Sequence, residues 1–407
     1  MDTSFQPSPV RTMYIFQWSC FWTFVFLSIL FAILFHLPAI RDENNQITLN
    51  QYHKTIQTTT EKEIPFSVMS FNVRLDGLEK DANNHFTKRV FRLAKVFEDW
   101  DPLIAGLQEP FSGQVMHMLR ELPPKYKPIG YRRAGFTHEY QSMGHPTRQN
   151  DYQTAILYNS EALEPVYEDH VWLSETPRIE GSKHPTSRGK RTLTFARFQL
   201  NPEYFNSTAL PATHVLAFNT HLDVWGENAR QFQAEKVLFW IKETQKQFPD
   251  DPVFLFGDFN SVPGHKSHEI LTEYLADSWD TCQASKQCAT NEIAITYHHW
   301  LGTFVNTYPM RIAQYLLHIL HGSGLVVVMD GFNWNQLRNI SVSACASILQ
   351  AFPTSLHRLH VDWILFNNPL SLRTSVAPKL VVVADVRNND FSSDHFPLVA
   401  LFSFRPI

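Results

Sequence analysis

Cysteine is scarce in this chain, with 4 among 407 residues, and no C-x-x-C spacing occurs. A disulfide-dense scaffold and a zinc ribbon are therefore excluded. Charge of one sign is lacking too: 35 Lys and Arg stand against 39 Asp and Glu, a formal net charge of -4. Such a balance exerts no long-range pull on nucleic acid or anionic lipid. Glycine numbers only 15, which rules out a collagen-like chain, and 44% hydrophobic with 18% charged residues rules out disorder and a coiled coil. The chain also lacks an internal repeat, a nucleophilic Ser or Cys motif and the phosphate loop of nucleotide-binding proteins.

One local absence is informative. No charged side chain lies between Arg11 and Arg41, and Met13 to Leu37 is dense in Phe, Ile, Leu and Val. A membrane-spanning helix needs about 20 such residues. A cleaved signal peptide is the competing reading, but its apolar core is normally about 7–15 residues and ends in small residues. The exit here is His36-Leu37-Pro38-Ala39-Ile40. The expected organisation is a tail at 1–12, a signal-anchor helix at 13–37, a polar tether at 38–63 and a large domain at 64–407. Arg11 against Arg41, with Asp42 and Glu43 following, weakly favours a cytoplasmic N-terminus and a lumenal or extracellular domain in a single-pass membrane protein. The sequons at Asn206 and Asn339 agree. Cys282 and Cys288 are spaced to bridge a short loop in an oxidising compartment; the other reading is free thiols.

From Ile64 onward short apolar runs alternate with a few amphipathic stretches. Phe66–Val73, Ile104–Gln108, Thr154–Tyr158, Thr192–Phe198, Val215–Thr220, Val253–Phe256, Val361–Phe366, Leu380–Ala384 and Leu398–Phe402 read as strands, rich in Val, Ile, Phe and Thr and bounded by Asn, Asp, Pro or Gly. Phe86–Trp100 and Glu227–Lys246 read as helices, the first with Val90, Phe91, Ala94, Phe97 and Trp100 on one face. The pattern predicts one α+β domain of two packed β-sheets with helices on the outer faces. Residues 304–356 read as an insertion packing on that core, or as a lid beside a site.

Polar residues recur where strands end: Asn72 in SFNVR, Glu109 in LQEP, His221 and Asp223 in NTHLD, Asp258 and Asn260 in GDFNS, Asp362 in VDWIL, and Asp394-His395 in SDHFPL. One such residue would be an ordinary turn cap. The whole set has the chemistry of metal-assisted attack on phosphorus. A hard cation such as magnesium, with manganese as the alternative, takes carboxylate oxygens, and an imidazole held by a carboxylate can handle a proton near neutral pH.

These blocks, in this order from about Phe66 to Phe404, resemble the endonuclease/exonuclease/phosphatase superfamily of deoxyribonuclease-like hydrolases. VWLSETP, GSK and RTLTFARF are similar to one of its subgroups, described mostly as metal-dependent hydrolases. The resemblance implies a four-layer α/β sandwich with two mixed sheets. It implies Glu109 as the main magnesium ligand, with Asn72 beside it and Asp394 near the metal. Asp258 would orient or deprotonate the attacking water, and Asn260 would hold a phosphate oxygen. His395 would be the catalytic imidazole, supported by Asp362, and His221 would donate to the phosphoryl oxygen. Arg191 either reaches phosphate or pairs at a sheet surface, and His298 and His299 are further candidates for substrate contact. Where the subgroup carries an acid before a strand, this chain has Asp151-Tyr152.

The expectation is a membrane-anchored, magnesium-dependent phosphoesterase acting on nucleic acid in the manner of a 3'-5' exoribonuclease. A phospholipid headgroup, cleaved as sphingomyelinases cleave it, is the first alternative, and inositol phosphates or other small phosphoesters are the second. A catalytically silent binding protein is the remaining class. No partner protein is implied.

Overall fold

A computed structural model describes residues 43–58, 63–77, 79, 81–130, 154–206, 212–285, 296–298, 300, 360–367, 374–385 and 390–406. All fall in a unit spanning Arg41–Ile407, distinct from Met1–Ile40. The expected span at 13–37, Asp151, His299 and the 304–356 insertion lie outside the described residues. Among the described residues no helix is long and apolar enough to cross a membrane.

Among the described residues twelve strands form two six-stranded sheets. The first contains β1 (Ile64–Asn72), β2 (Ile104–Gln108), β3 (Tyr126–Ile129), β4 (Ala155–Asn159), β11 (Thr374–Val383) and β12 (Leu398–Pro406), in the order β11-β12-β1-β2-β4-β3. The second contains β5 (Leu163–Trp172), β6 (Thr192–Leu200), β7 (His214–His221), β8 (Val253–Asp258), β9 (Ala276–Asp277) and β10 (Asp362–Asn367), in the order β5-β6-β7-β8-β10-β9. Each sheet is mixed. Among the described residues its one parallel pair, β1 with β2 or β7 with β8, is bridged by a crossover helix, α2 (Phe86–Trp100) or α4 (Glu227–Gln247). The remaining helices are α1 (Glu43–Gln57), α3 (Ser112–Glu121), α5 (Lys266–Thr272) and α6 (Ser278–Ser285).

The expected sandwich is present. Its middle is aromatic, with Phe66 and Phe254 stacked at 5.4 Å and Phe402 edge-on to Phe254 at 4.9 Å. One outer face is covered by α1, α2 and α3, the other by α4 and α5. Strand alternation sorts the layers. In β1, Ile64, Phe66 and Val68 face the inter-sheet core while Met69 and Phe71 face the helices. In β8, Phe254 and Phe256 face inward; in β7, Val215 and Ala217; in β10, Ile364 and Phe366. Continued to the strand ends, these parities place Asn72, Asp258, His221 and Asp362 on the inner face. Burying apolar surface between the sheets therefore also aims the polar set.

The helix over Phe86–Trp100 forms as expected, but Phe91 is 59% exposed and the buried stripe runs through Val90, Leu93, Ala94, Phe97 and Trp100. The 38–63 stretch is not a simple tether. Its residues 43–57 form α1, which docks on the domain through Leu49, Tyr52 and Ile56, with the Tyr52 hydroxyl donating to the Trp100 carbonyl at 2.8 Å. Three apolar positions at i, i+3 and i+7 suffice for docking, although polar neighbours hide them. β3, β5 and β9 were not expected; β5 is an edge strand with an exposed middle and no clean alternation. Cys282 is buried and disulfide-bonded, while its expected partner Cys288 lies outside the described residues.

Candidate active site

The parallel register pairs His221 with Asp258, and the antiparallel register pairs Asp362 with Asp258. Three strands therefore end at one level. The segment between β11 and β12 brings Asp394 and His395 to the same place, held by the Ser393 hydroxyl donating to the Asn72 carbonyl at 2.6 Å. Arg89, fully buried on α2, donates to the carbonyls of Val73 at 2.7 Å and Ser392 at 2.9 Å, tying the ends of the two segments together.

Asn72 is the hub. Its Nδ2 donates to Glu109 Oε1 at 3.1 Å and to Asp258 Oδ2 at 2.8 Å, and lies 3.4 Å from His395 Nε2. Its Oδ1 accepts from the Arg74 N–H at 2.9 Å. In this arrangement Asn72 braces Glu109 and Asp258, and its oxygen is already engaged. Glu109 Oε2 accepts from the Leu75 N–H at 3.0 Å. Glu109 adopts φ 71°, a left-handed conformation that strains a residue without a short polar side chain. Such strain persists where the surroundings hold the side chain on target.

Asp258 Oδ2 sits 3.6 Å from His221 Nε2 and 3.7 Å from His395 Nε2. His395 Nδ1 pairs with Asp362 Oδ2 at 2.9 Å. Burial pulls His395 down, but the Asp362 and Asp258 carboxylates outweigh it and the group is pushed up to about 10. Burial and the nearby Asp362 raise the Asp258 carboxyl above the usual carboxylate range. Burial first, then the positive charge of Arg191, lowers His221 well below its ordinary value, so it is neutral at pH 7. Asn260 Nδ2 donates to His221 Nε2 at 2.8 Å and to the Leu222 carbonyl at 3.1 Å, which leaves the His221 proton on Nδ1. These electrostatics favour the charged form of His395 and make Asp258 a stronger base than an ordinary carboxylate.

All nine expected site residues, Asn72, Glu109, Arg191, His221, Asp258, Asn260, Asp362, Asp394 and His395, are buried. Contacts and charge coupling link the whole group. Ligand atoms of Asp258, Asp362 and His395 lie within 4.8 Å of one another. Glu109 and Asp394 offer hard oxygens suited to magnesium or manganese. The Arg74 guanidinium lies 3.9 Å from Glu109 Oε2 and 3.5 Å from Asp394 Oδ2, so both carboxylates face a positive charge. Asp394 is the main influence raising Arg74.

His298 donates its N–H to the Asp394 carbonyl at 2.9 Å, while its ring turns into the aromatic packing. It is buried between Phe396, stacked at 4.0 Å, and Phe391 at 4.9 Å. Its neighbour Tyr297 meets the centre with its side chain, by an antiparallel bridge to His395 with the two rings 4.8 Å apart. Tyr297 and Arg74 are not among the sequence-predicted site residues, although Tyr297 directly precedes His298 and Arg74 follows Asn72 by two positions in SFNVR. A second cluster, His268, Asp277 and Asp280, is explained by packing: His268 pairs with Asp277 at 3.1 Å, and Asp277 also accepts from the Trp279 N–H.

A two-sheet sandwich with a buried Asp-His pair, a strained glutamate and a bracing asparagine at one end defines a class of phosphate-ester hydrolase. The chain belongs to the Endonuclease/Exonuclease/phosphatase family, whose model matches residues 69–395. Among solved structures it is similar to a mannosyl-6-phosphatase, Bt3783, of Bacteroides thetaiotaomicron, at 22% identity and TM-score 0.55 over 83% of this chain and 99% of that one. It is also similar to an endonuclease/exonuclease/phosphatase of Bacteroides vulgatus, at 19% identity and TM-score 0.54 over 84% and 98%. A third similar structure is D. rerio TDP2 complexed with single strand DNA product, at 16% identity and TM-score 0.50 over 83% and 98%. These likenesses establish the fold. No curated protein matches the sequence. As a member of that family the chain is a hydrolase of phosphate esters.

Proposed function

We propose that the protein is a magnesium-dependent phosphodiesterase acting on nucleic acid, of the 3'-5' exoribonuclease type, held at a membrane by the apolar segment at 13–37. The observation that carries the chemistry is the double grip of Asn72 Nδ2 on Glu109 and Asp258 beside the His395–Asp362 pair. Glu109 and Asp394 would hold the metal, which supplies charge neutralisation at the phosphoryl oxygens and a site for the nucleophile. Asp258, raised by burial, accepts the proton of the attacking water. His395, charged and oriented by Asp362, faces the phosphoryl oxygen as negative charge builds. Asn260 and Arg191, flanking neutral His221, line the phosphate side.

The single strand DNA product bound by the TDP2 structure supports a nucleic-acid substrate. The disulfide at Cys282 and the exposed Asn206 of the first sequon support a lumenal or extracellular domain. The apolar segment at 13–37 favours the second reading, a lipid headgroup as substrate, because it would keep the site beside its lipid. A panel of single-stranded RNA, DNA, sphingomyelin vesicles and inositol phosphates in magnesium decides. RNA should be shortened from its 3' end, and Glu109→Ala should abolish that. Headgroup release without nucleic-acid cleavage would transfer the assignment to the lipid reading. Protease protection in sealed membranes tests the topology.

A further inference from the structure

Asp223, two residues beyond His221 and fully buried, divides its carboxylate between two loops. Oδ2 accepts from the Ser187 hydroxyl at 2.7 Å and from the N–H groups of Arg188 and Gly189 at 3.0 and 3.2 Å. Oδ1 accepts from the N–H groups of Trp225 and Gly226 at 2.9 and 3.2 Å. Arg230 closes the arrangement from below, donating to the carbonyls of Asp223 at 3.0 Å and Val224 at 3.2 Å. His184, stacked on Phe232 of α4 at 3.9 Å, pins the first loop a second time. Both backbones are therefore rigid.

On the outside of this clamp the Arg188 guanidinium lies 4.8 Å from the centroid of the Trp225 ring. That indole is 62% exposed, more than any other large apolar side chain among the described residues. Hydrophobic burial alone would turn it inward; an indole held outward on a fixed backbone keeps one π-face ready for a partner. The surrounding charge is local. Residues 181–191 carry Lys183, Arg188, Lys190 and Arg191 with no Asp or Glu, although the chain as a whole is acidic by 4. At the inner end of this loop Arg191 stands beside His221. Trp225 is four residues from His221 and Arg188 three from Arg191. An extended chain spans at most ~3.6 Å per residue, so the Cα atoms of Trp225 and His221 lie within roughly 14 Å of each other, the reach of one or two nucleotides.

We propose that Arg188 and Trp225 form a nucleobase platform on the rim of the active site. The indole stacks the base of a nucleotide adjacent to the scissile phosphate, and Arg188 meets the neighbouring phosphate. Stacking of this kind accepts any base, because each offers a π-face, and a short basic loop supplies the charge that the chain as a whole lacks. The platform rests on the phosphodiesterase reading and narrows its substrate to single-stranded nucleic acid.

The test is equilibrium binding of a short fluorescent oligoribonucleotide to the full chain in detergent, without divalent metal so that no cleavage occurs. Trp225→Ala and Arg188→Ala should each weaken binding about tenfold, while Trp225→Phe should retain most of it. Wild type should bind a strand of the same length and charge but without bases about as weakly as Trp225→Ala binds the complete strand. Equal affinity of wild type and Trp225→Ala for the complete strand overturns the proposal, as does equal affinity of wild type for the complete and abasic strands. Magnesium-dependent cleavage of the abasic strand by wild type reports on the phosphodiesterase reading separately, and its failure leaves the binding result to decide the platform.

Discussion

His395 Nδ1 and Asp362 Oδ2 lie 2.9 Å apart, joined across 33 residues of sequence and shut away from solvent. Burial alone would keep the imidazole neutral; Asp362, with Asp258 behind it, keeps the proton on. In the metal-free protein His395 should stay protonated through neutral pH and lose its proton only as pH rises through about 10. Asp362→Asn should shift that titration downward, as followed by NMR of labelled histidine. It should also lower kcat by about 10²–10⁴-fold, the usual worth of a positioned acid or base. An unchanged titration would show that Asp362 does not set the charge.

Glu109 is strained into a left-handed conformation and gripped by Asn72. If it holds the cation, magnesium or manganese should raise the melting temperature of wild type in proportion to RT ln(1 + [L]/Kd). Glu109→Gln keeps the shape and removes the charge. It should abolish the metal-dependent rise together with hydrolysis, and addition of EDTA to wild type should reproduce the variant's melting curve. A full metal response in Glu109→Gln would remove Glu109 from the ligand set.

Asp223 makes a pH prediction of definite sign. Burial opposes its charge, but the Ser187 hydroxyl, the Trp225 and Gly189 N–H groups and nearby Arg191 overcome this and hold the carboxyl below the usual range. A depressed carboxyl contributes stability that is present above its unfolded pKa of about 3.9 and lost as pH falls through the folded value. Asp223→Asn should therefore cost about 1–3 kcal/mol at pH 7, the price of misfit buried donors. The gap to wild type should narrow below pH 4 in urea denaturation. A gap independent of pH would mean that shape, not charge, is what the clamp requires.

Gly257, the glycine of GDFNS, has the backbone of a neighbouring strand where a side chain would go. A Cβ there would lie 2.3 Å from the Thr220 carbonyl oxygen. Main chain cannot rotate aside, so Gly257→Ala should destabilise by at least about 1–3 kcal/mol, seen as a lower melting temperature. It should also impair hydrolysis, because Asp258 is the next residue. Wild-type stability in Gly257→Ala would contradict the close approach of β7 and β8.

The period-2 pattern of the strands carried more than the fold. Since Phe66 and Val68 face inward, Asn72 must as well, and the same parity aims Asp258 from Phe254 and Phe256. That information is local, written along six or eight residues, and it survives without knowledge of any partner. α1 escaped notice because Leu49, Tyr52 and Ile56 make a stripe too thin to stand out from polar neighbours, and only the surface around Trp100 gives it a purpose. Of the candidates His298 and His299 in residues 296–302, TYHHWLG, the ring of His298 enters the aromatic core, because the bridge to His395 turns Tyr297 towards the centre.

What the sequence determined by itself was therefore the strand faces, the crossover helices and the identity of the polar residues at the strand ends. The geometry in which those residues meet, and the charge states it favours, were decided by the tertiary structure. Asn72 and His395 are 323 positions apart, and the proton on His395 is kept by carboxylates from β8 and β10. Periodicity is set by neighbours in the chain, whereas a pKa is set by neighbours in space.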